Sequence, residues 1–581
     1  MMKKYHHLFL AALMILAYST GLIAQPYQAA ESAREFYEIP ENFKGQIDRA
    51  IPAQPASKPQ KERKLLVYSQ YLKERVHSSV PYANYAFYKM GEATGAYQTY
   101  FSNDTTVFQA QYLDQFDAIM LNNTAGVLFY DPQTRQHLLD FVYGGKGIIG
   151  IHAGAGATFV KYPVYDQFPE FGQMMGGYEN GGHPWKTWEW INFKVDEPEH
   201  PVNKGFSVTS FDISDEIYQY LNEYSRDRVR ILLSINTEKT DMENRHILPE
   251  RRLDNDFPVS WIRDYGRGRV FSSALGHHPH INWDMRALAH YFRGIQFALG
   301  DLEAPTTPTG KLNAITQAQE ITNLPLGIAA YTYKNQTFYD VIDHAVEMGV
   351  LNVGGLSFQK ASAEINKNFD PNLTREELLE IRSKLLDAGV SLKTYYIHDI
   401  PNDKKACEKI FQFGQLMGIE TFISEPNPKA LDLIEQYCKA YNIKVAIHNH
   451  GQDVSPEYYD PARLLDHIRN RSELIGVCGD TGYWTRSGFN PIESIELLGD
   501  RLISLQLHDL NEFSKKGHDV PWGTGISEIE NILNTLVKNN IDPTMVELEY
   551  SYNWDQSDHE IQKSIDSFNK FITNIAVGQV K

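Results

Sequence analysis

Cysteine is nearly absent: Cys407, Cys438 and Cys478 are the only three in 581 residues. An odd count at unrelated spacings builds no disulfide framework, so stability has to come from packing. No cysteine precedes Cys407, which excludes thiol chemistry from everything before it. Positive charge is also scarce. Lys and Arg number 55 against 73 Asp and Glu, a formal charge of −18. That balance argues against holding nucleic acid or an anionic membrane by charge. Long apolar runs are missing too. Leu8–Ala17 falls short of the ~20 residues that span a bilayer. Preceded by Lys3 and Lys4 and followed by small residues, it reads as a signal peptide over 1–24, cleaved after Ala24. The chain is therefore expected to be exported across the inner membrane to the periplasm, with no stable membrane insertion.

The length is enough for two domains with cores of their own. Residues 25–63 are polar and Pro-containing ("IPENF", "IPAQPASKPQKERK") and read as an arm on the surface. From 64 to 301, strand patterns alternate with helical ones. Lys64–Ser69, Ala118–Asn122, Gly147–His152, Ile191–Val195 and Arg269–Ala274 are strands; Tyr82–Ala93 and Arg135–Val142 are among the helices. The alternation predicts an open α/β sheet with a parallel core. Two turns carry polar chemistry. "GGKGIIGIHAGAGA" ends a buried strand on His152, and "GRGRVFSSALGHH" ends another on His277. With Asp215 and Glu216 they are expected to face one cleft; the alternative is that both histidines are structural. Residues 302–323, with clustered Pro, Thr and Gly and no apolar period, read as a linker.

From 324 to 581 the rhythm is regular. Eight apolar runs alternate with helical patterns, and Gly follows the last turn in "EMGV", "DAGV" and "LMGIE". This is the pattern and length of one (β/α)8 barrel, whose chemistry sits at the carboxyl ends of its strands. Those ends carry Glu425 ("ISEP"), His448 and His450 ("AIHNHG"), Asp480 ("CGDTG"), His508 ("LQLHD"), Glu547 and Glu549 ("VELEY"). Crowded carboxylates repel, and a cation relieves the repulsion, so this mixed ring points to a divalent metal. Glu425, His448, Asp480, His508 and Glu547 are the candidate ligands; Mn, Co, Fe, Zn and Mg all suit such donors. Residues two apart on a strand share a face. One of Glu547 and Glu549, and one of His448 and His450, can therefore bind metal while the other moves protons. His448, His450, Glu549 and Lys393 are the catalytic candidates. His398, Tyr483, Trp484, Arg486, His518 and Trp522 are expected on the same rim, where they suit a small carbohydrate.

Residues 64–301 resemble the ThuA-like (trehalose-utilisation) family through "GGKGIIGIHAG", "DEPEHPVNKGF", "DEIYQY" and "PVSWIRDYGRGRVFSSALGHH". The resemblance implies a class I glutamine amidotransferase-like, flavodoxin-like open sheet and a role in carbohydrate metabolism. In amidotransferases of that fold, the turn at His152 would present a nucleophilic cysteine. The second half, 324–581, resembles the xylose isomerase-like TIM-barrel superfamily, in its sugar phosphate isomerase/epimerase branch, through "SEP", "HNHG", "GDTG", "LQLHD", "WGTG" and "VELE". That implies metal-dependent removal of a proton next to a sugar carbonyl, with ligands from strands five to eight. Asp480, His508 and Glu547 fit the set. His448 stands where the relatives have Glu, a departure that fits relatives acting on 3-keto-glycosides by β-elimination. The alternatives are a metal-dependent hydrolase, endonuclease IV relatives included, and a sugar-binding scaffold with a non-catalytic ThuA-like domain.

Overall fold

The computed structural model describes residues 33–580 apart from 71–76, 162–166, 180–181, 222 and 244; the expected signal peptide, 1–24, lies outside the described residues. Among the described residues no helix is long and apolar enough to cross a membrane.

The first domain is built on a nine-stranded sheet. Its strands come from β1 (Lys64–Tyr68), β2 (Gln98–Ser102), β3 (Ala118–Asn122), β4 (Gly147–Ile151), β6 (Trp190–Val195), β7 (Ser210–Ser214), β9 (Arg230–Ile235), β10 (Pro258–Tyr265) and β11 (Gly268–Ser273). A separate two-stranded ladder pairs β5 (Tyr178–Glu179) with β8 (Tyr220–Leu221). The order is β2-β1-β3-β4-β11-β10-β9-β6-β7. Pairing is parallel from β2 to β11 and antiparallel beyond. β3 and β4 are buried at every position, as central strands covered on both faces must be. This is the open sheet with a parallel core that the alternation predicts.

Two stretches expected to be irregular carry helices. Within the arm, Glu41–Ala50 is helical, and Phe43, Ile47 and Ala50 share one face. Ile47 and Ala50 are buried, and Phe43 packs against Tyr82 and Trp283. Within the linker, Ala314–Thr322 is helical, opened by an Asn313/Thr316 capping box and closed by Asn323 at φ 53°. It packs on the terminal helix Asp558–Val580. Only Ala318 and Thr322 are buried on it, too thin an apolar stripe to register as a period.

The second domain is a closed barrel of eight parallel strands, each hydrogen-bonded to the next. They are β12 (Leu326–Ala329), β13 (Asn352–Leu356), β14 (Ser391–Tyr396), β15 (Thr421–Ser424), β16 (Lys444–His448), β17 (Ile475–Asp480), β18 (Leu502–Leu507) and β19 (Val546–Leu548). Helices between them start at side-chain caps, including Thr337, Thr374, Asp403 and Asp460.

The first domain docks on the amino-terminal end of this barrel. Asp140 is gripped by Arg375 and Arg382 from the barrel helix Arg375–Ala388. Arg267, in the β10–β11 turn, donates to the carbonyls of Asn442 (2.6 Å) and Gly144. A cavity of about 870 Å³ lies in the seam, lined by Arg263, Asp264, Asn352, Lys393, Glu420 and Thr544 among others. Both sets of strand ends that carry His and carboxylates point away from this seam.

Candidate active site at the barrel mouth

Asp480 ends β17 and caps the short helix Thr481–Arg486. Its Oδ1 accepts the Tyr483 N–H at 2.6 Å, which turns Oδ2 inward. That oxygen lies 3.5 Å from His448 Nε2 and 3.5 Å from His508 Nε2. Glu549 Oε1 is 3.9 Å from the same His508 nitrogen. Asp480 Oδ2 and His508 Nε2 are buried and make no hydrogen bond, a condition that costs ~1–3 kcal/mol per group unless something pairs with it. Donors around a four-coordinate ion at ~2.0–2.1 Å stand about 3.4 Å apart, close to the spacings found. Asp480, His508 and Glu549 therefore fit a divalent ion as its donor set, with His448 beside Asp480 as a further candidate.

Each imidazole has a carboxylate behind it. His508 Nδ1 donates to Asp519 Oδ1 at 2.7 Å, and Asp519 Oδ2 is held by Ser551 Oγ at 2.7 Å. Donation from Nδ1 leaves Nε2 as the lone pair facing the ring, the usual arrangement behind a metal-binding histidine. Glu425 Oε1 lies 3.5 Å from His448 Nδ1, accepts from His450 Nδ1 at 2.6 Å and from the Tyr396 hydroxyl at 3.0 Å. Asn449 holds the Asp480 backbone on both sides, accepting its N–H at 2.8 Å and donating to its carbonyl at 3.1 Å. Asp519 sits in the loop after β18, where no apolar rhythm marks it in the sequence.

Charge in the ring is heavily redistributed. Burial pushes the Glu549 carboxyl up to about 7, against the pull of His508. For His448 burial works the other way, but Asp480 and Glu425 outweigh it and hold the imidazolium up to about 10. Asp480 is opposed by burial, yet His508 and His448 keep it far below the ordinary carboxylate range. The ring thus holds protons that a cation would displace on binding.

Not every expected residue joins the ring. Glu547 lies level with Gln506 in the β18–β19 ladder, so Glu549 is the residue level with His508. Glu547 stays one layer deeper, bonded by Ser504 Oγ at 3.1 Å, and burial raises it to about 7. Of the two glutamates, Glu549 is the one grouped with Asp480 and His508, and the expected ligand Glu547 lies outside that group. Lys393 is at the wrong end: it enters early in β14, and its ammonium pairs with Glu420 at the seam. Trp484 and Trp522 are fully buried core residues, not rim groups. Tyr483 does face the ring, 4.6 Å from His450 between ring centroids.

The first domain has a cluster of its own. His152 follows β4 at φ 51°, ψ −115°, a strained sharp-turn conformation of the kind that presents nucleophiles elsewhere. Gly154 makes the turn possible, since a Cβ there would sit 1.8 Å from the Leu121 carbonyl oxygen. His152, Glu216 and His277 converge as expected, joined by His77, and Glu216 carries the carboxylate. Asp215 does not join them. Its oxygens accept the N–H groups of Gly276, His277 and His278 at 2.7, 3.2 and 3.1 Å, so it shapes the loop.

The folds and sites define a two-domain chain: an open amidotransferase-like sheet, then a barrel with a His and carboxylate ring at its carboxyl mouth. Family models agree. Residues 64–298 match ThuA, described as trehalose utilisation, and residues 429–571 match the xylose isomerase-like TIM barrel. The chain thus joins a domain similar to ThuA to a barrel similar to the xylose isomerase-like TIM barrel. A curated relative, the uncharacterized protein y4fM of Sinorhizobium fredii, is 31% identical over 104 residues; the match covers 18% of this chain and 32% of that one. The chain thus spans about a third of the length of that relative. A solved protein of Parabacteroides distasonis is 25% identical with a TM-score of 0.36, over 43% of this chain and 99% of its own. A D-tagatose 3-epimerase-like protein is 16% identical with a TM-score of 0.35, over 44% of this chain and all (100%) of its own.

Proposed function

We propose that the chain is an exported carbohydrate-active enzyme whose barrel removes a proton next to a sugar carbonyl. The observation that carries this reading is the convergence of buried, unbonded Asp480 Oδ2 and His508 Nε2 with His448 and Glu549. His448, Asp480, His508 and Glu549 would hold a divalent ion, which when bound supplies Lewis acidity toward a carbonyl oxygen. His450 is the base. Its Nδ1–H is held by Glu425 at 2.6 Å, so Nε2 carries the lone pair, and its side chain is 21% exposed, open enough to meet substrate. A carboxylate-backed imidazole of this kind accepts a proton and stabilises the charge it gains. The C–H bond next to the carbonyl breaks, its proton goes to His450, and its electron pair moves toward the carbonyl carbon as the oxygen takes negative charge. Returning the proton to the other face or to the neighbouring carbon gives epimerisation or isomerisation. Loss of a β-substituent, as from a 3-keto-glycoside, gives elimination. Tyr396 and Tyr483, burial holding both hydroxyls protonated, are placed to donate to sugar oxygens.

The test uses free ketoses and 3-keto-glycosides in D₂O. Turnover should bring deuterium to the carbon next to the carbonyl, or release the aglycone. His450→Ala should keep its metal and lose ~10²–10⁴ in rate, whereas Asp480→Ala should lose both. Undiminished turnover in a strong chelator, without exchange, would sink the reading.

A further inference from the structure

The first domain holds a second set of metal-type donors, remote from the barrel ring. His152 Nε2 lies 3.2 Å from His277 Nδ1 and 3.5 Å from Glu216 Oε2, and His277 Nδ1 lies 3.0 Å from that same oxygen. The three atoms make a triangle whose sides match the ~3.4 Å between donors around a four-coordinate ion. The tautomer of His152 is settled by its other nitrogen. Nδ1 is 2.8 Å from the Ala274 carbonyl oxygen, which only accepts, so Nδ1 carries the hydrogen and Nε2 offers a lone pair to the cluster. The sharp turn at His152 presents that lone pair, and the ring is wholly buried. His77 closes the group edge-on, with ring centroids 5.0 Å from His152 and 4.8 Å from His277, and its Nδ1 is buried without a hydrogen bond. The Tyr218 hydroxyl lies 2.8 Å from His152 Nε2 and occupies that lone pair until an ion takes it. A network of hydrogen bonds alone leaves the His77 nitrogen unmatched and packs imidazole nitrogens and a carboxylate into one small volume.

We propose that His152, His277 and Glu216 bind a divalent transition-metal ion in the ThuA domain, with His77 as the looser fourth donor. Three imidazoles and one carboxylate are the donor chemistry of zinc. Three donors at close spacing with a fourth further out is the pattern of an ion that keeps a position for water or substrate. Tyr218 stands beside that position as a hydrogen-bond donor. The site needs nothing from the barrel.

The experiment is metal stoichiometry on the full chain, metal-stripped and then reloaded with zinc, with cobalt(II) absorption as a second readout. Asp480→Ala/His508→Ala, with the barrel ring disabled, should retain about one equivalent and a tetrahedral cobalt spectrum. Adding Glu216→Gln/His277→Gln should remove both, with circular dichroism unchanged. Glu216→Gln alone, a near-isosteric change, guards against loss through misfolding and should weaken zinc binding at least tenfold. If the barrel-disabled chain holds no metal, or the Glu216/His277 changes leave its stoichiometry intact, the proposal fails. A parent chain that loses all its metal on the Glu216/His277 changes alone would instead sink the barrel reading and keep this one.

Discussion

The two clusters solve one problem differently. In the barrel, donors come from the last residues of β16 and β17 and the residues just past β18 and β19, and carboxylates stand behind the imidazoles: Asp519 behind His508, Glu425 beside His448. In the first domain, one strained turn aims His152, and a backbone carbonyl, Ala274, takes the role that Asp519 has in the barrel. A carbonyl fixes orientation but adds no charge. The barrel imidazoles therefore have charge behind them as well as orientation, while His152 in the first domain is oriented by backbone shape.

This contrast can be broken most directly at Asp519. Asp519→Asn keeps a hydrogen-bond partner for His508 but removes its charge, and should weaken metal binding to the barrel by ~10–100-fold. Competition with a chromophoric chelator measures it; an unchanged affinity would mean that the carboxylate only positions the ring. The next test concerns the seam. Asp140→Ala strands Arg382, whose side chain is 5% exposed, and should cost about 3 kcal/mol of stability. Denaturant titration of the full chain would read it, and no loss would show that the halves hold together without that grip. The last test is in pH. His290, in the first domain, is wholly buried, and burial holds it down to about 3. The unfolded chain binds that proton near pH 6.5 and the folded one does not. Its contribution is complete above about pH 6.5 and is lost as the pH falls toward 3, at up to about 1.4 kcal/mol per unit. Thermal melts from pH 7.5 to 4.5 should show the first domain destabilised before the barrel, and His290→Gln should flatten that acid limb.

Much of this was legible in the sequence because strands that end on His or Asp announce both the barrel and its mouth. Depth along a strand was not. Glu547 and Glu549 share a face, and only the register with Gln506 tells which one is level with His508. Lys393 fails for a related reason: it lies on a barrel strand, but near the end that meets the seam. Asp519 and His77 sit in loops, where no periodicity singles out a residue that acts through or beside another. The helices at Glu41–Ala50 and Ala314–Thr322 were hidden by polar, Pro-flanked sequence whose few apolar residues make sense only once the surfaces they cover are known.

Docking on the amino-terminal end of the barrel sets the two clusters back to back. Strands of five or six residues are ~17–20 Å long, so about two strand lengths of packed protein separate the openings. A molecule released from one mouth has to travel through bulk solvent around the outside of the chain to reach the other. The fusion therefore equalises the supply of the two domains without shortening any journey between them. An intermediate passed between them would be open to capture by a scavenger in solution, just as it would be from two unlinked proteins.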